Sequence, residues 1–124
     1  MKSIIKSIFV ALAVLIAINS YSQKKITETS LKVDGVCFMC KNRIETALDT
    51  AGVKFAEWDI DTQILKIAFR NDKYTVTDIS QIMANIGHDT EEIKAAEEVY
   101  NQIDMCCKYR DEKVLEDHGQ KRHH

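Results

Sequence analysis

The sequence predicts an α+β sandwich whose elements run β, α, β, β, α, β, with a short helical extension at the C-terminal end. Three observations carry that prediction. Two runs of alternating apolar and polar residues, Ala56 to Ile60 and Leu65 to Phe69, are joined by a polar turn. Two segments place apolar residues at helical spacing, and each stops at a glycine. A run rich in β-branched residues precedes the first of those helices.

Strand one covers Ile26 to Val33, where Ile26, Glu28, Ser30 and Lys32 alternate with Thr27, Thr29, Leu31 and Val33 up to Asp34-Gly35. After Cys37-Phe38-Met39-Cys40, the positions Cys40, Ile44, Ala47 and Leu48 share one helical face. Lys41, Arg43, Glu45 and Asp49 are expected on the other face, and Gly52 ends the helix. In the hairpin, Ala56, Trp58 and Ile60 form one apolar face with Leu65, Ile67 and Phe69, across a turn at Asp61-Thr62-Gln63. Thr75 or Thr77 caps a second helix whose stripe is Ile79, Ile82, Met83 and Ile86, stopped by Gly87. Thr90 to Lys94 supplies a final strand and completes a ferredoxin-like βαββαβ sandwich. Val99, Tyr100 and Ile103 then mark a third helix over Ala96 to Ile103, and the tail from Asp111 to His124, which lacks apolar periodicity, is expected to fray.

The N-terminus reads as a targeting segment. Lys2 and Lys6 precede eleven apolar residues, Ile8 to Ile18, followed by Asn19-Ser20-Tyr21-Ser22. At 1.5 Å per residue that run spans about 16 Å, short of a hydrocarbon core of roughly 30 Å. Residues 1–22 are therefore expected to be a signal peptide cut before Gln23, followed by a domain over 23–95 and an extension over 96–124. The product is expected to be periplasmic or secreted, a monomer released from the membrane after cleavage. Residues 1–22 hold two lysines and no acid, so the remainder carries 15 basic and 19 acidic residues, a net charge of −4. Such a domain is a poor partner for nucleic acid.

The chemistry lies in the cysteines, which come as two close pairs, Cys37 with Cys40 and Cys106 with Cys107. Two thiols three positions apart at a helix start point into one small volume, and the helix N-terminus favours their thiolates. Thiolates are ligands for soft metals; two suffice for Cu(I), whereas structural Zn²⁺ takes four ligands. The same motif serves thioredoxin-like oxidoreductases, which place a cis-proline beside the dithiol. This chain has no proline, and a non-proline cis bond costs about 3 kcal/mol. A disulfide that merely staples the turn is the structural alternative. No Gly-rich phosphate loop and no nucleophile with an identifiable base is present, so the chain is not expected to be an enzyme.

The segment Val33-Asp34-Gly35-Val36-Cys37-Phe38-Met39-Cys40-Lys41-Asn42-Arg43-Ile44-Glu45, followed by Ala51-Gly52-Val53, the hairpin and Ile79 to Gly87, resembles the heavy-metal-associated domain of copper chaperones, periplasmic mercury-binding proteins and P-type ATPase amino-terminal modules. The resemblance covers roughly Ile26 to Ile93. It implies a βαββαβ fold, metal binding by Cys37 and Cys40, and a metal transporter or other metal-accepting protein as partner. The family usually has Gly-Met-Thr before the first cysteine, its methionine tucked beneath the metal loop; here the residues are Asp34-Gly35-Val36, so Met39 or Phe38 is expected to fill that space.

His88 follows the Gly87 stop, at the end of the sheet expected to carry the thiols. It is a candidate third ligand or a cation that lowers their pKa, and a helix-capping role is equally open. Cys106 and Cys107 close a strained ring if bonded to each other, so free or metal-bound thiols are more natural. A strand four running away from the metal end and a helix three returning would bring them within about 8 Å of the first pair, close enough for loop adjustment to reach metal bonds of about 2.3 Å. Four converging thiolates would suit Zn²⁺, a mercury or cadmium ion, or more than one Cu(I); the alternative is that one of the pair packs in the core and the other is incidental. His118, His123 and His124 in the tail could add scavenging of borderline metals or be solvated. The expectation is an exported soft-metal-binding protein, handling Cu(I) above Zn²⁺ or Hg²⁺, with a dithiol oxidoreductase and a disulfide-bonded interaction domain as rival readings.

Overall fold

A computed structural model describes residues 2–21 and 25–120. The expected cleavage position before Gln23, and His123 and His124, lie outside the described residues. Helix α1 runs Lys2–Tyr21. Among the described residues no helix is long and apolar enough to cross a membrane.

Strands β1 (Ile26–Lys32), β2 (Val53–Trp58) and β3 (Ile64–Arg70) form an antiparallel sheet in the order β1-β3-β2. The central strand is the most apolar, as burial on both edges requires. Leu65, Ile67 and Phe69 point to one face, where Leu65 pairs with Leu31 and Trp58 and Ile67 with Thr29 and Ala56. The turn between β2 and β3 is built by Asp59, whose carboxylate accepts from the N–H groups of Asp61 and Thr62 at 2.9 and 2.8 Å. Gln63 closes that turn in the left-handed region, with φ 59°.

Helices α2 (Phe38–Ala47) and α3 (Val76–Asn85) lie on the apolar face of the sheet and bury Cys40, Ile44, Ile79 and Met83. Thr75 and Asp78 make a reciprocal capping box at the start of α3. Gly87, at φ 98°, ends α3, and the N–H of His88 reaches back to the Met83 carbonyl at 2.9 Å. A side chain at Gly87 would meet Ile103 Cγ2 at 2.6 Å, so the glycine serves close approach as well as the turn.

The expected fourth strand does not form. Thr90 makes one bridge to Val33, and then its hydroxyl accepts from the Ile93 N–H at 3.2 Å while its own N–H donates to the Ile93 carbonyl at 2.9 Å. That local turn takes the backbone groups a strand would need. The chain beyond folds back as α4 (Glu97–Tyr100), a 3₁₀ turn (Met105–Cys107) and α5 (Glu112–Asp117). The segment expected to fray thus carries a helix, capped by the Asp111 carboxylate on the Lys113 N–H and held by buried Leu115. Tyr100, Ile103, Cys107, Tyr109 and Leu115 belong to the same core as the sheet and its helices.

Two polar anchors hold this extension in place. Arg110 makes a two-point pair with nearly buried Asp89, at 2.7 and 3.1 Å, and also donates to the Ala95 carbonyl. The Tyr109 hydroxyl donates to the Gly87 carbonyl at 2.7 Å and accepts from the Asp89 N–H at 2.9 Å.

Candidate metal centre

Cys37 is the N-cap residue of α2, with extended backbone, so its sulfur faces the first-turn N–H groups of Met39 and Cys40. Cys40 lies one turn on, fully buried, and the two Sγ atoms are 3.5 Å apart. The 3₁₀ turn of the extension brings the second pair to the same place. Cys107 Sγ is 3.3 Å and Cys106 Sγ 3.9 Å from Cys37 Sγ, well inside the 8 Å expected from the sequence. The route differs from the one expected, because a turn at Thr90 replaces the outgoing strand. All four cysteines are free thiols, and the sulfurs of Cys37, Cys40 and Cys107 lie within 4.8 Å of one another.

The thiols differ in acidity. Burial works against the Cys37 thiolate, but bonds from the Cys40 N–H, the Cys107 and Cys40 thiols and the Met39 N–H outweigh it and lower its pKa. Burial raises Cys40, and it pushes Cys107 up to about 12 against the opposing Arg43 guanidinium. Cys106 is raised to about 11, by desolvation and then by the neighbouring Cys107. The cluster therefore has one thiol poised to ionise first, Cys37, at the mouth of the helix.

Arg43, expected on the solvent face, is a site residue that the charge pattern concealed. Its guanidinium lies near enough to favour the Cys107 thiolate, while its Nη1 lies 3.2 Å from His88 Nε2 and its Nη2 donates to Asp104 at 2.9 Å. Its place three residues after Cys40, on the same side of one helical turn, was the available signal.

His88 does not stand among the thiols. Its ring is fully buried and stacked on Tyr109 at 5.6 Å, with Nδ1 2.7 Å from the Asp34 carbonyl. A carbonyl only accepts and a guanidinium only donates, so Nδ1 carries the proton and the Nε2 lone pair faces Arg43. Both nitrogens are engaged and neither is turned to a metal. Burial first, and then Arg43, lower its pKa to about 4, so it is not the cation the sequence allowed for. His118 is the exposed C-cap residue of α5 and joins no group of potential ligands among the described residues.

The space beneath the loop is not filled by Met39 or Phe38, which are 48% and 77% exposed. Trp58 fills it. A side chain at Gly35 would fall 2.9 Å from the Trp58 ring and 3.2 Å from Cys40 Cβ. The ring is fixed by its Nε1–H, which donates to the Val33 carbonyl at 2.9 Å. Lys41 and Glu45 tie α2 to the Trp58 backbone, the ammonium donating to its carbonyl at 2.8 Å and the carboxylate accepting its N–H at 2.9 Å.

No protein-family model matches the sequence, and no curated protein does either. Solved structures do resemble the fold. A candidate copper-ion-binding protein from Bacillus anthracis str. Ames is 22% identical with a TM-score of 0.50, over 53% of this chain and 96% of its own. Oxidized MerP from Ralstonia metallidurans CH34 is 20% identical with a TM-score of 0.50, over 53% of this chain and 94% of its own. At such identities the likeness is one of architecture: this chain shares their ferredoxin-like α+β fold, with a C-terminal extension packed onto it.

Proposed function

We propose that this chain is an exported protein that binds a soft metal ion, Cu(I) above Zn²⁺ or Hg²⁺, and passes it to a metal-accepting partner such as a transporter. The observation that carries the reading is the convergence of Cys37, Cys40 and Cys107 within 4.8 Å, from chain segments about seventy residues apart. Thiolates alone, without a carboxylate or an available imidazole, select soft ions. Three sulfurs in a triangle suit a trigonal ion better than the four-ligand shell of structural Zn²⁺. The similar fold of a candidate copper-ion-binding protein supports the choice of copper.

Transfer would proceed by ligand exchange. An incoming partner thiolate adds to the ion while Cys37, the most acidic and an accessible ligand, leaves; no covalent chemistry is asked of the protein. Exposed Phe38, Met39 and Met105 beside the sulfurs offer apolar surface for that encounter. The N-terminal apolar run supports export. The test is a Cu(I) titration of the reduced protein against a competing chelator. Cys37→Ser and Cys40→Ser should each lose orders of magnitude in affinity, and wild-type affinity in both would overturn the reading.

A further inference from the structure

The four sulfurs form two triangles, not a tetrahedron. Cys37 and Cys107 are 3.3 Å apart and share that edge. On one side lies Cys40, 3.5 Å from Cys37 and inside the mutual 4.8 Å group. On the other lies Cys106, 3.9 Å from Cys37 and 3.9 Å from Cys107, outside that group. The reason is local. Consecutive residues of a 3₁₀ turn point roughly 120° apart, so Cys107 turns into the core while Cys106 stays half-exposed.

An ion at the centre of a trigonal sulfur site with bonds of about 2.3 Å needs sulfurs about 4.0 Å apart. The outer triangle already has two edges of 3.9 Å, so only the shared Cys37–Cys107 edge, at 3.3 Å, has to open to take an ion. Its open side is also soft, since Met39 Sδ lies 3.3 Å from Cys106 Sγ.

Resting on the reading of this cluster as a soft-metal site, we propose that it is binuclear. One Cu(I) sits in the Cys37-Cys40-Cys107 triangle and a second in the Cys37-Cys106-Cys107 triangle, with Cys37 and Cys107 bridging and Cys40 and Cys106 terminal. Charge favours the second ion. One Cu(I) on three thiolates leaves a net −2; adding a second Cu(I) with the Cys106 thiolate, whose proton leaves to solvent, keeps it at −2. The second ion therefore adds no net charge for Arg43 to balance. Bonds of about 2.3 Å across the shared edge hold the two ions within roughly 3.2 Å of each other.

The test is native mass spectrometry of the reduced full chain titrated with Cu(I), with X-ray absorption on the loaded protein. The wild type should reach two copper ions on a single chain with copper–copper scattering, and Cys106→Ser should stop at one without it. A wild type that stops at one ion, a second ion reached only by pairing two chains, or a Cys106→Ser variant that still takes two would each overturn the binuclear site while leaving the soft-metal reading intact. A wild type that takes up none would overturn both.

Discussion

Arg43 and His88 hold each other in fixed roles: the guanidinium Nη1 stands 3.2 Å from His88 Nε2, which puts the imidazole proton on Nδ1, and burial together with that charge keeps the ring neutral. The histidine orients the arginine, and the arginine brings positive charge to Cys107. Replacing it, as Arg43→Met, keeps most of the packing but removes the positive charge that favours the Cys107 thiolate, an interaction worth about 1.5–3 kcal/mol in a partly buried site. Cu(I) affinity should fall by roughly tenfold or more. A chelator competition showing unchanged affinity would remove Arg43 from the site.

Acid should destabilise the fold through His88. Its folded pKa of about 4 lies below the ordinary 6.5, so between those values the unfolded chain binds the extra proton. Stability is full above about pH 6.5 and falls as the pH drops, by about 3 kcal/mol near pH 4. Urea unfolding of the wild type and His88→Gln at about pH 7 and about pH 4.5 isolates this contribution. The acid loss should be smaller in the variant, and equal losses would contradict the assignment.

Trp58 beneath the loop should make Gly35 intolerant of any side chain. With a Cβ 2.9 Å from the ring, Gly35→Ala should cost about 1–3 kcal/mol by overpacking. Thermal unfolding checks it, and an unchanged midpoint would mean the ring can yield.

Asp89 and Arg110 secure the extension that delivers Cys107. Asp89→Ala removes the two-point partner of the guanidinium, which keeps its bond to the Ala95 carbonyl, and leaves the Ala95 N–H unpaired, at a cost of about 1–3 kcal/mol. Copper affinity should fall with stability. A variant destabilised but fully competent for Cu(I) would show that the extension's docking does not matter to the site.

What the sequence revealed follows from the range of the forces involved. The α3 cap at Thr75, its Ile79 and Met83 stripe, and the Trp58, Leu65, Ile67, Phe69 face are local patterns, and each is found as expected. At Thr90 the sequence cannot separate the two outcomes, because a strand and a turn that bonds its own backbone look alike over five residues. Helix α5 escaped because a six-residue helix needs only Asp111 as cap and Leu115 as anchor, too little for a period to show. The charge of Arg43 points it to solvent in the sequence, whereas its neighbours, His88 and Cys107, are set by tertiary packing. The approach of Cys106-Cys107 to the motif was legible as a distance, while its route was not.

The central claim is that the helix-cap motif and the C-terminal extension build one metal site, and Cys107→Ser tests it most directly. Cu(I) affinity of the reduced variant is measured against a competing chelator, with circular dichroism confirming that the fold persists. The account predicts a loss of at least about tenfold, equivalent to about 1.4 kcal/mol, with an unchanged spectrum. Wild-type affinity in the folded variant would mean that Cys37 and Cys40 bind the ion alone, and would contradict the account.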